Sequence, residues 1–143
     1  MKDKILKMPA GREIDILILR DVLKYRPVYV QEGSLFGVVG ELDCWYDEDG
    51  KFIPLGTSPS NDISEAQKVI DKILKTPKPE NTYKGSYVRS TVTQSKSGAK
   101  CNFEVFGTTV SASGETAPLA ICRAAYLVKY HYERNKREEL GGV

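Results

Sequence analysis

Histidine is almost missing from this chain: 143 residues contain one, His131. A serine or cysteine nucleophile would depend on that single imidazole, and no local pattern around it supports such a site. Cysteine is scarce too, with only Cys44, Cys101 and Cys122. One histidine and three scattered thiols do not supply the four clustered ligands of a structural zinc site. An odd cysteine count without a C-x-x-C pair is no disulfide framework either, so free thiols of a reducing compartment are expected. No run of 18 apolar residues occurs, which leaves no membrane-spanning helix to expect. Residues 1–12 are charged and lack an apolar stretch, so no secretory leader is expected there. Gly33, Gly37 and Gly40 do not spell G-x-G-x-x-G, and no G-x-x-x-x-G-K-[ST] is present. No cofactor and no metal are therefore expected, and the chain reads as a non-enzyme.

Strong charge of one sign is also lacking, since 21 basic and 19 acidic side chains leave a formal +2. That near-balance is uneven along the chain. Residues 27–62 hold one basic and seven acidic side chains, and the remainder holds 20 and 12. An acidic segment thus sits inside a basic chain. A composition 41% hydrophobic and 28% charged is that of an ordinary globular protein, and the length fits one domain, 1–143.

Gly11 to Lys24 reads as a helix, with Ile14, Leu17, Ile18 and Val22 on one stripe, and Pro27 ends it. Residues 28–56 read as an insertion of loops and short strands. Within it, Cys44-Trp45-Tyr46 and Phe52-Ile53 flank Asp47-Glu48-Asp49-Gly50-Lys51, the composition of a small hairpin. Aligning Gly50 with the invariant glycine of a calcium-binding loop puts Trp45 and Gly56 where oxygen donors belong, which rejects that reading. Asp62-Ile63-Ser64-Glu65 matches a capping box and opens a second helix to about Lys75, with Ile63, Ala66, Ile70, Ile73 and Leu74 on its apolar stripe. Pro77 and Pro79 end it.

Tyr83–Thr93, Lys100–Phe106 and Thr108–Ala112 read as three strands of an antiparallel meander, turning at residues 95–98 and at Gly107. Ser113 or Thr116 can cap a last helix whose stripe is Ala117, Ala120, Ile121, Ala124 and Val128. From His131 onward that helix becomes a polar tail, 131–143. The class is α+β, in the order α-(insertion)-α-β-β-β-α.

Three stretches resemble the phage ABA sandwich domain family. They are Met8-Pro9-Ala10-Gly11-Arg12-Glu13-Ile14-Asp15, Ser58-Pro59-Ser60-Asn61-Asp62-Ile63-Ser64-Glu65-Ala66 and Glu115-Thr116-Ala117-Pro118-Leu119-Ala120-Ile121-Cys122-Arg123-Ala124-Ala125. The family's matching segments read GRE(I/L)D, YS-DI-AAW and ETAP-AICRAAL. Gln67 stands near the family's usual Trp. The resemblance implies a helix–sheet–helix layering and a source in phages and prophages, hence action in a bacterial host cytoplasm. It brings no catalytic residues; capping and helix pairing are the expected roles of Glu115, Arg123 and the Gly11-Arg12-Glu13 run.

Two functions are expected from this reading. One is a non-enzymatic phage protein that blocks or sequesters a host factor, either a host protein or a small nucleotide ligand of an anti-defence pathway. Its contact residues would be the aromatics and acids of the insertion: Phe36, Trp45, Tyr46, Asp47 and Asp49. The alternative is nucleic-acid binding. The α-β-β-β-α order is that of double-stranded RNA-binding domains, and Lys84, Arg89, Lys96 and Lys100 lie on the meander. The start of the last helix, where those domains carry lysines, reads Gly-Glu-Thr-Ala-Pro-Leu and holds no base. A homo-oligomer is compatible with the sequence, and no membrane partner is expected.

Overall fold

The computed structural model describes residues 2–33, 37–76 and 88–141. Pro77, Pro79 and Tyr83 lie outside the described residues. Two helices open the chain: α1 (Lys2–Lys7) and α2 (Arg12–Leu17). The second continues as a π-helical turn over Ile18–Val22. The expected helix thus exists but does not stay α-helical. The wider turn bonds Leu23 N–H to the Ile18 carbonyl at 2.9 Å, and Ile18, Leu19, Val22 and Leu23 are all buried. Lys24 then takes a left-handed conformation (φ 60°) and closes the helix.

Strands β1 (Arg26–Tyr29), β2 (Leu42–Tyr46) and β3 (Phe52–Ile53) form one antiparallel sheet. The β2–β3 hairpin falls where the aromatic runs flank the acidic turn. Its inward residues Trp45 and Ile53 join the main core.

Helix α3 (Ile63–Leu74) starts at Asp62, whose carboxylate accepts the Ser64 N–H at 2.8 Å. The reciprocal half of the expected capping box is absent. The Asp62 N–H goes to the Ser58 carbonyl, and Glu65 turns forward to Lys68 at 3.0 Å. The buried residues are Ala66, Val69, Ile70 and Ile73, whereas Ile63 and Leu74 at the ends of the expected stripe are exposed.

The meander is β4 (Val88–Ser95), β5 (Gly98–Val105) and β6 (Thr108–Gly114), in the order β4-β5-β6. Gly107, with Phe106, takes positive φ at the second reversal, as a tight turn requires. Helix α4 (Ala117–Gly141) lies on the inner face, opened by Thr116, whose carbonyl accepts the Ala120 N–H. Ala120, Ala124 and Ala125 are fully buried, and their small side chains let the helix sit close to Cys101 and Phe103, also fully buried. The outer face is polar and open: Arg89, Thr91 and Thr93 on β4, Lys100 on β5, Thr109 and Ser111 on β6. The α+β class and the three-strand antiparallel meander stand as expected. Among the described residues no helix is long and apolar enough to cross a membrane.

Candidate functional site

The motif residues converge on two polar junctions. At the first, Asp15 on α2 is 6% exposed. Its carboxylate accepts the Ser58 hydroxyl at 2.6 Å and the Ser60 N–H at 2.9 Å. Ser60 Oγ accepts the Gly11 N–H at 2.9 Å, and Ser58 Oγ accepts from the Asn61 amide at 3.1 Å. The Gly11–Asp15 motif and the Ser58–Asn61 motif are therefore one structure. At the second, Arg123 on α4 donates through Nε and Nη2 to the Met8 carbonyl and through Nη1 to the Ser113 carbonyl. Burial pulls the Arg123 pKa below its ordinary value, with Glu115 working in the opposite direction. These contacts hold segments together, which gives Arg123 and Gly11 the pairing role expected of the motifs.

The three thiols are buried and free of disulfides. Burial pushes Cys101 up to about 12, and Cys44 and Cys122 upward as well. A thiol that stays protonated is a poor nucleophile and a poor metal ligand. Among the described residues no group of three His, Cys, Asp or Glu side chains is placed to hold a metal ion.

The exposed side of the first sheet carries a different kind of arrangement. Register pairs Arg26 with Tyr46 and Tyr46 with Phe52, so the three stand side by side across β1, β2 and β3. The Arg26 guanidinium lies 5.5 Å from the Tyr46 ring centre. Tyr46 and Phe52 meet edge to face at 6.2 Å, and Phe52 is 55% exposed. The turn beyond is held by its own chain. Asp47 Oδ1 accepts the N–H groups of Asp49 and Lys51 at 2.9 and 2.8 Å, and Glu48 ties the turn to α3 through Lys72 at 2.5 Å.

This geometry corrects the expected contact set. Trp45 is 1% exposed and belongs to the core, so it is no surface anchor. Adjacent strand residues point to opposite faces, so Trp45 and Tyr46 could not both face outward. Asp47 is the staple of its turn, whereas Asp49 is exposed at the tip. Phe36 lies outside the described residues. Arg26 and Phe52, missing from the expected set, complete the ladder. Their signal was the hairpin register, which sets Tyr46 opposite Phe52.

Among the described members of the basic set expected for nucleic acid, one is engaged by an acid. Arg89 is held by Glu104 across the strands at 2.6 Å. Lys96 sits in the β4–β5 turn and Lys100 on the open face of β5. Lys84 lies outside the described residues. An arginine neutralised by its neighbour has less to offer a phosphate, which weighs against this alternative.

Comparison with known proteins gives three findings. A family model described as Phage ABA sandwich domain matches residues 22–126, and so runs through residues 28–56 as well as the helices and meander. A 2.0 Å crystal structure of a phage protein from Bacillus cereus ATCC 14579 is similar, at 22% identity. The match covers 87% of this chain and 93% of that one, with a TM-score of 0.49. No curated protein matches the chain.

Proposed function

The chain belongs to the phage ABA sandwich domain family, and we propose that it is a non-enzymatic binding protein that occupies a host protein and blocks it. The observation that carries this reading is the Arg26–Tyr46–Phe52 ladder. Arginine and tyrosine are the residue types that most often anchor interfaces, and rings fixed by neighbours lose little entropy on docking. The occupant is a protein face with basic side chains. Glu41, Asp43 and Asp49 are exposed on the chain segment that carries β2 and its turn and would draw such a face in.

The test uses the full chain immobilised against host lysate, with retained proteins identified and then purified for titration. The wild type is expected to bind the purified partner. The Tyr46→Ala/Phe52→Ala double variant is expected to bind at least about 30-fold more weakly, the loss of two anchors of roughly 1 kcal/mol or more each. Binding by the double variant equal to wild type would reject the reading. Circular dichroism separates loss of binding from loss of fold.

A further inference from the structure

A cleft of about 460 Å³ opens between the π-helical turn, the end of α3 and α4, with none of Arg26, Tyr46 and Phe52 in its lining. Its floor is apolar: Val22, Ile73 and Val128 are each 5% exposed or less. Its walls carry four lysines, Lys24, Lys72, Lys75 and Lys129, against one acid, Asp21. The Asp21 carboxylate is held by Arg20 at 2.8 Å, and its backbone carbonyl accepts from the Lys129 ammonium. Lys72 reaches Glu48. Lys24 and Lys75 are exposed at the mouth. Tyr132 adds a half-buried ring.

Two backbone features aim Lys24 at this place. The π-helical turn shifts the chain immediately before it, and Lys24 itself has φ 60°. Helix ends in that conformation usually carry glycine, because a Cβ there crowds the following carbonyl oxygen. A lysine at this position meets that strain and places an ammonium at the mouth of a lysine-walled cleft. Non-glycine residues in left-handed geometry and π-turns concentrate at functional sites.

We propose that this cleft binds a small organic polyanion, with two or more negative charges on an aromatic or apolar body. Lys24 and Lys75 take the anionic groups, and the body lies on Val22, Ile73 and Val128 beside Tyr132. The volume fits such a ligand, since small-molecule pockets run from about 300 to 1,000 Å³. A purely inorganic anion would leave the apolar floor uncovered, and an uncharged body would leave the ammonium groups unused.

Calorimetric titration of the full chain at low salt tests this with three probes. ADP carries both parts, pyrophosphate the charge alone and adenosine the body alone. ADP is expected to bind with a micromolar Kd, at least tenfold tighter than either of the others. Lys24→Gly and Lys75→Gln are each expected to weaken ADP binding by about tenfold or more, the loss of one charge-assisted contact. Lys24→Gly relieves the left-handed strain, so its thermal midpoint is expected to stay level or rise, which separates binding from folding. Lys51→Gln, on the hairpin outside the cleft, removes the same charge and is expected to leave binding unchanged. The proposal is overturned if ADP does not bind below millimolar concentration. It is equally overturned if pyrophosphate binds as tightly, or if Lys51→Gln weakens ADP as much as Lys24→Gly does.

Discussion

Removing the Asp15 carboxylate tests whether the two motif segments hold each other. In Asp15→Ala the Ser60 N–H loses its acceptor in a site where Ser60 is fully buried. The Ser58 hydroxyl loses its acceptor too, but it is half-buried and can turn to water. Hydrogen bonds to a charged group contribute about 1.5–3 kcal/mol each, and the orphaned amide sits at the upper end because water does not replace its partner. Relief of the carboxylate's own desolvation offsets part of this. A net loss of roughly 3 kcal/mol is expected, a large share of the roughly 5–15 kcal/mol that holds an ordinary domain together. For a chain of 143 residues that lowers the thermal midpoint by about 6–12 °C. Asp15→Asn should lose only about 1 kcal/mol. Its carbonyl still accepts from Ser60, and its amide donates to Ser58 Oγ, which can reverse its role. Urea unfolding followed by tryptophan fluorescence measures both, with Trp45 as the single reporter. A double-mutant cycle with Ser58→Ala isolates the direct pair, expected to couple by about 1 kcal/mol. An Asp15→Ala protein within about 0.5 kcal/mol of wild type would refute the reasoning.

Other outcomes follow from the same contacts. Trp45→Ala is expected to cost about 3–5 kcal/mol by opening a core cavity, while Tyr46→Ala costs far less; equal losses by chemical denaturation would contradict the facing of β2. The three buried thiols should resist a thiol reagent at pH 8 until denaturant is added; rapid labelling of the folded protein would contradict their burial. Cys101 and Cys122 hold their protons to higher pH when folded than when unfolded. Their contribution is therefore intact below about pH 8.5 and falls as pH rises, by about 1.4 kcal/mol per pH unit for each thiol. Replacing both with alanine should flatten the alkaline limb of stability between pH 9 and 11, and an unchanged slope would remove the thiols as its cause. At Gly98 (φ 140°) a Cβ would stand 2.6 Å from the Gly114 carbonyl oxygen, so Gly98→Ala should lower stability by about 2 kcal/mol or more. Calorimetric midpoints of that variant beside Gly56→Ala, where a Cβ meets open space, make the comparison.

The helices, the meander and the hairpin were legible in the sequence because each rests on short-range pattern. A 3.6-residue stripe, a period-2 alternation and an Asp-Gly turn all act over a few residues. The scarcity of histidine and the scatter of the thiols along the chain are likewise properties of the sequence alone. The α+β class followed from the order of the elements, and the family match over residues 22–126 takes in the second and third motif runs but not residues 8–15. What those motifs do required the tertiary structure. Asp15 meets Ser58 and Ser60 across more than 40 residues, and Arg123 meets the Met8 carbonyl across 115. No local periodicity encodes such distances. Composition marked the acidic aromatic segment as the place to look, but register decided which side chains it offers. Trp45 went inward and Tyr46 outward because successive residues of a strand face opposite ways, and Arg26 joined from another strand. The lysine cleft lay furthest from sequence reasoning. Its residues come from three separate helical segments, which only tertiary packing sets side by side.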